Sequence, residues 1–474
     1  MTLVQASGLL RAGKLSPLEL IEHAFARYEQ HNPTLNAFIL TYFDQALAAA
    51  QGSERRLREG CGRPLEGLPL TIKDSFDIAG SPTACGSLLY ASSNAARDAT
   101  SVRRLREAGA IILGKTSCPE FLMNYETDNR LIGTTRNPWN RERTAGGSSG
   151  GESAAIAAGI SMGGMGSDAG GSIRWPAHAC GIAGLKPTPG RVSAAGHVPQ
   201  IAHPGGLLGV AGPMARTAAD VKMLFQVLAH YDPTDPFSTP VPQCWLDPGP
   251  DVAAFRNTGC RIGLLEGWYG TPVQQSIASA VQKAARTLSD LGFFVEPFQP
   301  QGLERAEALW WFFFTQLWAR VFLKSVEDKR GELHWTGVEL FEQALTEPEP
   351  TIPQLLENFA VRDKMRTSLL EQMETHRVLL LPAAGVTAFP HRSRQWPAGA
   401  RNISLREAMS PLTPFNLFGV PGLVIPFGMD EEGMPCGIQL VGRPYDEELL
   451  LEIGIALETA RGPFPTPPGY NAIV

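Results

Sequence analysis

Twice in this chain an amphipathic helical pattern runs into a glycine and is followed at once by a short apolar run. Val102, Leu105 and Ala108 lead to Gly109 and then Ala110-Ile111-Ile112-Leu113; the stretch Val273 to Leu291 leads to Gly292 and then Phe293-Phe294-Val295. Glycine at such a point takes the left-handed conformation that ends a helix, and a run that is apolar throughout reads as a strand covered on both faces. Strand-like segments of the same style recur at Val378 to Leu381, Leu423 to Pro426 and Gly437 to Val441. Near the start, Ser16-Pro17-Leu18-Glu19 combines an N-cap, a proline at the first helical position and a capping-box glutamate, with Leu18, Ile21, Phe25 and Tyr28 at helical spacing after it. Interleaved helices and short buried strands predict an α/β fold, a sandwich with helices on both faces of a mixed, largely parallel twisted sheet.

Prolines and aspartates crowd together from Tyr231 to Asp251, which predicts a surface connection over 231–260. Because strand-like segments continue in the same style beyond it, we read 1–474 as a single domain. In this reading 1–230 carries the catalytic loops, 261–461 completes the sheet and the pocket, and 462–474 is a loose tail.

A formal net charge of −6 over 474 residues leaves no basic footprint for nucleic acid. The seven cysteines, at 61, 85, 118, 180, 244, 260 and 436, are scattered and contain no C-x-x-C pair, so neither a disulfide framework nor a structural zinc site is expected and a reducing cytoplasm fits. The N-terminus lacks the apolar core of a secretory signal. The longest strongly apolar run, Ala308 to Phe314, falls far short of the ~20 residues of a membrane span. A soluble, cytoplasmic protein is expected, with no membrane partner and a homodimer as the candidate assembly.

Between 144 and 190 the composition changes, and glycines and serines dominate. Such density means that backbone is brought close to something. Two loops stand out, Gly146-Gly147-Ser148-Ser149-Gly150-Gly151 and Asp168-Ala169-Gly170-Gly171-Ser172-Ile173-Arg174, with Ser148 and Ser172 placed 24 residues apart. The second loop offers a hydroxyl at Ser172 behind N–H groups at Gly170 and Gly171 that need no side chain, the requirement of an oxyanion hole. A serine hydroxyl needs a base. His178 is the nearby histidine but has no acidic partner at an evident place. Lys73, ending the apolar run Leu68-Pro69-Leu70-Thr71-Ile72, can serve if burial lowers its pKa.

LTIKDSFDIAG, the GGSSGG and DAGGSIRWPA loops, CGIAGLKPTPGRV, PFNLFGVPGLVIPFG and GMPCGIQLVG together resemble the amidase signature family, over nearly the whole chain. The spacings of 75 residues from Lys73 to Ser148 and 24 from Ser148 to Ser172 are similar to those of that family's Ser-Ser-Lys triad. The resemblance implies that Ser172 attacks the carbonyl, that Ser148 passes its proton to neutral Lys73 across a cis Gly147–Ser148 peptide, and that the N–H groups of Ala169, Gly170, Gly171 and Ser172 hold the oxyanion. It implies no metal and no organic cofactor. Gly147, Ser149, Asp168 and Arg174 are read as loop supports. Two residues depart from the commonest pattern: Glu152 stands where many members carry serine, and Trp175 where the tRNA-amidotransferase subunits usually carry glutamine.

Other readings of the same residues are weaker. Gly146-x-Ser148-x-Gly150 matches the nucleophile elbow of α/β-hydrolases, but the polar residues before it do not form the strand that elbow requires. Gly164-x-Gly166-x-x-Ala169 fits a relaxed dinucleotide fingerprint and lacks a placed acidic partner. Cys118 with His178 imitates a cysteine glutaminase pair, though each reads better as a packing residue. For the substrate pocket the candidates are Leu122, Met123, Tyr125, Trp175, Trp310 and Phe314, the last two in an aromatic block that reads first as a core-facing helix, with pocket lining as the alternative. An apolar, aromatic wall predicts a small-molecule substrate: a hydrophobic amide, anilide or carbamate (urethane), with ester hydrolysis alongside. The alternative is the amidase-like subunit of a glutamine-dependent tRNA amidotransferase, which the three candidate catalytic residues do not exclude.

Overall fold

The computed structural model describes residues 1–241 and 261–470; the second part of the expected surface connection, 242–260, and the last four residues lie outside it. The capping box at Ser16 forms as the sequence predicts. Ser16 Oγ accepts from the Glu19 N–H at 3.0 Å and Glu19 returns an oxygen to the Ser16 N–H at 2.8 Å, opening the helix Pro17–Leu35. The two glycine stops also hold. Gly109 at φ +100° follows the helix Thr100–Glu107, and Gly292 at φ +84° follows the helix Gln275–Asp290.

The strands are β1 (Phe38–Thr41), β2 (Pro69–Lys73), β3 (Ile111–Thr116), β4 (Gly163–Asp168), β5 (Ala183–Lys186), β6 (Val210–Ala215), β7 (Arg261–Leu264), β8 (Phe294–Pro297), β9 (Val378–Pro382), β10 (Gln395–Ala398), β11 (Arg401–Ser404), β12 (Gly422–Met429) and β13 (Pro435–Val441). Eleven of them form one sheet in the order β1-β3-β2-β4-β6-β5-β12-β13-β9-β7-β8, and β10 pairs with β11 apart from it. Strands of both halves are neighbours within it, because β5 pairs with β12. Helices cover both faces. Successive residues of β9 show why its sequence is apolar throughout: Val378 and Leu380 join one core cluster, Leu379 and Leu381 the aromatic cluster on the opposite face.

The sheet is mixed, as expected, but parallel only at its flanks. β3-β2-β4 and β9-β7-β8 run parallel, while β4-β6-β5-β12-β13-β9 is antiparallel at every junction. The antiparallel centre is built partly from glycine-rich strands, β4 and β5, for which the sequence pattern predicts no strand. Gly164 lies so close to β2 that a Cβ there would sit 2.0 Å from Thr71 O, so the glycine permits strand packing instead of breaking a strand. Past Gly462 the expected loose tail is tied down over the described residues: Phe464 packs edge-on to Trp139, and Tyr470, 4% exposed, lies 4.4 Å from the His31 ring.

Candidate active site

β2 and β4 are parallel neighbours, so their carboxyl ends emerge together. That places Lys73, last in β2, beside Ser167 and Asp168, last in β4. Lys73 Nζ donates to Ser148 Oγ at 2.7 Å and to Ser167 Oγ at 3.1 Å, and its side chain is fully buried. None of the three nearby carboxylates forms an ion pair with it. Asp74 is bound by Lys115 at 2.8 Å, Asp168 by Arg174, and Glu152 accepts from the hydroxyls of Thr71 at 2.5 Å and Thr116 at 2.7 Å. Burial without an ion-pair partner pulls the Lys73 ammonium down to about 8, against a smaller upward pull from Cys118, Cys85, Asp168 and Glu152. Burial likewise pushes Glu152 up to about 8 despite its two hydroxyl donors and Lys73.

Ser148 follows a cis peptide bond from Gly147 and precedes the helix Gly150–Ala157. No strand leads into it, so the hydrolase-elbow geometry is absent at this position. Gly147 is required by close approach: a Cβ would lie 2.6 Å from Asn124 O. Ser149 fastens the two loops, its N–H donating to Ser172 O at 3.1 Å and its hydroxyl reaching Ser167 O at 3.5 Å.

Asp168 organises the second loop. Burial opposes its charge, but Arg174 holds it well below the usual carboxylate range, gripping both carboxylate oxygens at 3.0 Å. Arg174 is itself held by Leu412 O, Gln439 and Asn416, and Asn416 also donates to Asp168 at 2.9 Å. The carboxylate further accepts from the N–H of Gly171 at 2.7 Å and of Ile173 at 3.1 Å. This corrects the expected oxyanion set. The Gly171 N–H is committed to Asp168, whereas those of Ala169, Gly170 and Ser172 have no protein acceptor among the described residues. Gly171, at φ +118°, supplies the backbone turn.

Ser172 is partly exposed and lines two cavities at once. The larger, of about 500 Å³, includes Leu122, Met123, Tyr125, Trp310 and Phe314. The smaller, of about 50 Å³, includes Ser148, Ser167 and Ala169. Trp310 stacks on Phe314 with ring centroids 4.7 Å apart, and Phe314 meets Trp318 at a tilt, 5.2 Å apart, along a helix that loosens to π geometry over Phe312–Ala319. The block is therefore both readings at once: Trp310 and Phe314 face the cavity, and Phe312 and Phe313 are packed in the core.

Of the six expected pocket residues, Trp175 is misplaced. It lines neither cavity, is fully buried, stacks between His178 and Phe389, and donates its indole N–H to Tyr125 O at 2.9 Å. The helix Arg174–Cys180 turns its side chain away from the loop that Ser172 occupies. His178 is equally structural: the Gly437 N–H donates to its Nδ1 at 2.9 Å, so Nε2 donates to Val386 O at 3.0 Å, and burial lowers it to about 4.

Three features were not anticipated from the sequence. Ser167 is a second acceptor for Lys73. Tyr125 Oη donates to Gly170 O and Trp310 Nε1 to Ala169 O, each at 2.8 Å, so two cavity walls also hold the loop that follows Asp168. Asn416, inside the quoted PFNLFG motif, could have been suspected because a buried amide in an apolar run needs partners.

The profile of the family described as Amidase matches residues 19–451. The chain belongs to the amidase family. It is 35% identical to a glutamyl-tRNA(Gln) amidotransferase subunit from Chloroflexus aurantiacus, covering 97% of this chain and 96% of that one. To the indoleacetamide hydrolase of Bradyrhizobium diazoefficiens it is 31% identical, over 97% of this chain and 86% of the relative. A bacterial aryl acylamidase of the amidase signature family superposes with a TM-score of 0.83 at 26% identity, covering 97% of this chain and 96% of that one. As a member of that family the chain is a serine amidohydrolase of carbon–nitrogen bonds, and no helix of its described residues is long and apolar enough to cross a membrane.

Proposed function

We propose that this amidase forms an acyl-enzyme on Ser172, with Ser148 as proton relay and Lys73 as base. The observation that carries the reading is the 2.7 Å hydrogen bond between a buried, unpaired Lys73 and Ser148, in a cavity wall shared with Ser172. Neutral Lys73 takes a proton from Ser148 as Ser148 takes one from Ser172, whose oxygen attacks the carbonyl carbon. The free N–H groups of Ala169, Gly170 and Ser172 face the developing charge. Collapse breaks the C–N bond and the relay protonates the departing nitrogen. Water then cleaves the ester, giving one proton to the relay as the acyl group leaves Ser172.

For substrate we propose hydrophobic amides, with anilides, carbamates and esters sharing the same tetrahedral chemistry, acted on in the cytoplasm. The cavity floor of Leu122, Met123, Trp310 and Phe314 suits an aryl or alkyl group. The arginines of the rim are engaged: Arg394 with Glu126 and Glu339, Arg406 with Glu307. Neither is spare for a free carboxylate.

A second reading rests on a different observation. The relatives at 35% identity bear the name of the amidotransferase subunit, which favours a partner-dependent glutaminase more strongly than any relative favours a particular hydrophobic substrate. Steady-state assays of the isolated chain on an arylacetamide, an aryl carbamate and glutamine separate the two. Preference for the aryl substrates supports independent hydrolysis, and preference for glutamine, raised by a transfer partner, overturns it.

A further inference from the structure

We infer that the small chamber beside Ser172 receives the leaving amine, which narrows the range of substrates proposed above: primary amides, or amides of an amine little larger than ammonia, with the bulk of the substrate on the acyl side, are cleaved far faster than anilides. The inference rests on the reading of Ser172 as nucleophile and Ser148 as relay.

The two chambers meeting at Ser172 differ tenfold in volume, about 500 against about 50 Å³. Position decides which half of the substrate each one takes. Ser148 and Ser167, the two hydroxyls bound by Lys73, belong to the wall of the small chamber and not to that of the large one. The nitrogen that leaves must be protonated as its bond breaks, and the donor is the Ser148 hydroxyl. The nitrogen therefore faces the small chamber, and the acyl carbon's other substituent extends into the large one. The second half-reaction obeys the same constraint: the water that attacks the acyl-enzyme gives its proton to the same relay, so it arrives from the same side. One cavity water needs about 10–15 Å³ of such space. A volume of about 50 Å³ holds ammonia or a few waters and falls short of an aryl ring.

The walls that set this size are firm. Trp318 packs on Gly205 so tightly that a Cβ there would lie 2.4 Å from its ring nitrogen. His197, 5% exposed, donates Nδ1–H to Pro199 O at 2.7 Å and lies 4.9 Å from the Phe76 ring. Burial depresses His197 to about 3, so the ring is neutral. It puts no positive charge into the chamber to repel an ammonium product. Ile201, half-buried, is the wall residue most easily shortened.

The balance of the step is plain. R–CO–NH2 and Ser172–OH give R–CO–O–Ser172 and NH3, with the Ser172 proton carried through Ser148 and Lys73 to nitrogen; water then gives R–COOH and restores the hydroxyl.

The test compares phenylacetamide, N-methylphenylacetamide and phenylacetanilide on the wild-type chain, with mass spectrometry of the quenched enzyme for the phenylacetyl adduct. The primary amide should exceed the anilide at least a hundredfold in kcat/KM, with the methylamide between. Ile201→Ala should narrow that gap by raising the methylamide rate. Hydroxylamine should intercept the acyl-enzyme and aniline should not. An adduct on Ser172 with the anilide cleaved as fast as the primary amide, or trapped by aniline as readily as by hydroxylamine, overturns the inference and leaves the nucleophile intact. Absence of any adduct on Ser172 during primary-amide turnover overturns the reading on which it rests.

Discussion

Lys73 meets two hydroxyls and no ion-pair partner, while Trp310 and Phe314 meet chiefly other rings. The first region is specified by scarcity. Each carboxylate that would trap the lysine is held elsewhere, by Lys115, by Arg174 or by the hydroxyls of Thr71 and Thr116. The second is specified by bulk, and many apolar side chains of similar volume satisfy it. The difference teaches that the chemistry depends on single atoms whereas the selectivity depends on shape, and the two regions should answer differently to substitution.

The sharpest break is expected at Ser172. Ser172→Ala should lower kcat by on the order of a millionfold and abolish labelling by a fluorophosphonate, with substrate binding little changed. Full labelling of that variant would move the nucleophile to Ser148.

Lys73→Met comes next, with a loss of at least about a hundredfold, the scale of general acid–base catalysis. Since the proposed base acts as the neutral amine and burial sets its value near 8 instead of 10.5, the wild-type kcat/KM should rise with pH and level off above about 8. In Lys73→Met that limb should vanish from whatever activity remains. A limb retained there, together with loss in a His178→Ala variant, would put the base at histidine.

A smaller effect tests whether the two regions are separable at all. Tyr125→Phe removes the hydroxyl that holds Gly170 O while keeping the ring in the wall. A hydrogen bond of this kind is worth about 0.5–1.5 kcal/mol, so kcat should fall about two- to twelvefold at nearly constant KM. A change confined to KM would show that the hydroxyl serves the wall alone.

The smallest effect is expected at Glu152. Its ionised form raises Lys73, and its own value sits near 8 because burial opposes ionisation. Glu152→Gln keeps the shape and removes the charge, so the limb should move to lower pH by a fraction of a unit. A move to higher pH would contradict this electrostatic account.

The catalytic region was the more legible in the sequence for a physical reason. An oxyanion loop needs unobstructed N–H groups, and a buried base needs an apolar strand end, so glycine runs and a misplaced lysine betray them. Ser148 and Ser172, in one cavity wall, and Lys73, buried behind Ser148, are found from those signals and the family resemblance. Gly171 could not be distinguished from its neighbours, because its diversion to Asp168 is a matter of one backbone turn. The strands β4 and β5 were hidden for the opposite reason. Their glycines look like loop residues and are there because β2 and the helices press so closely. Trp175 shows the limit of adjacency: a residue three positions from Ser172 points the other way once a helix begins at Arg174. The aromatic block could not be assigned to core or pocket because a helix that loosens to π geometry offers rings to both.

The hydrogen bonds from Tyr125 to Gly170 and from Trp310 to Ala169 join the wall of the large cavity to the proposed oxyanion loop. Inheritance is constrained by that joint. A lineage that exchanges Trp310 to admit a new acyl group also releases a carbonyl of the oxyanion loop, so most first steps toward new specificity slow the reaction on every substrate. Routes that begin at Leu122, Met123 or Phe314, which reshape the same chamber without such a bond, should be the ones that variation follows.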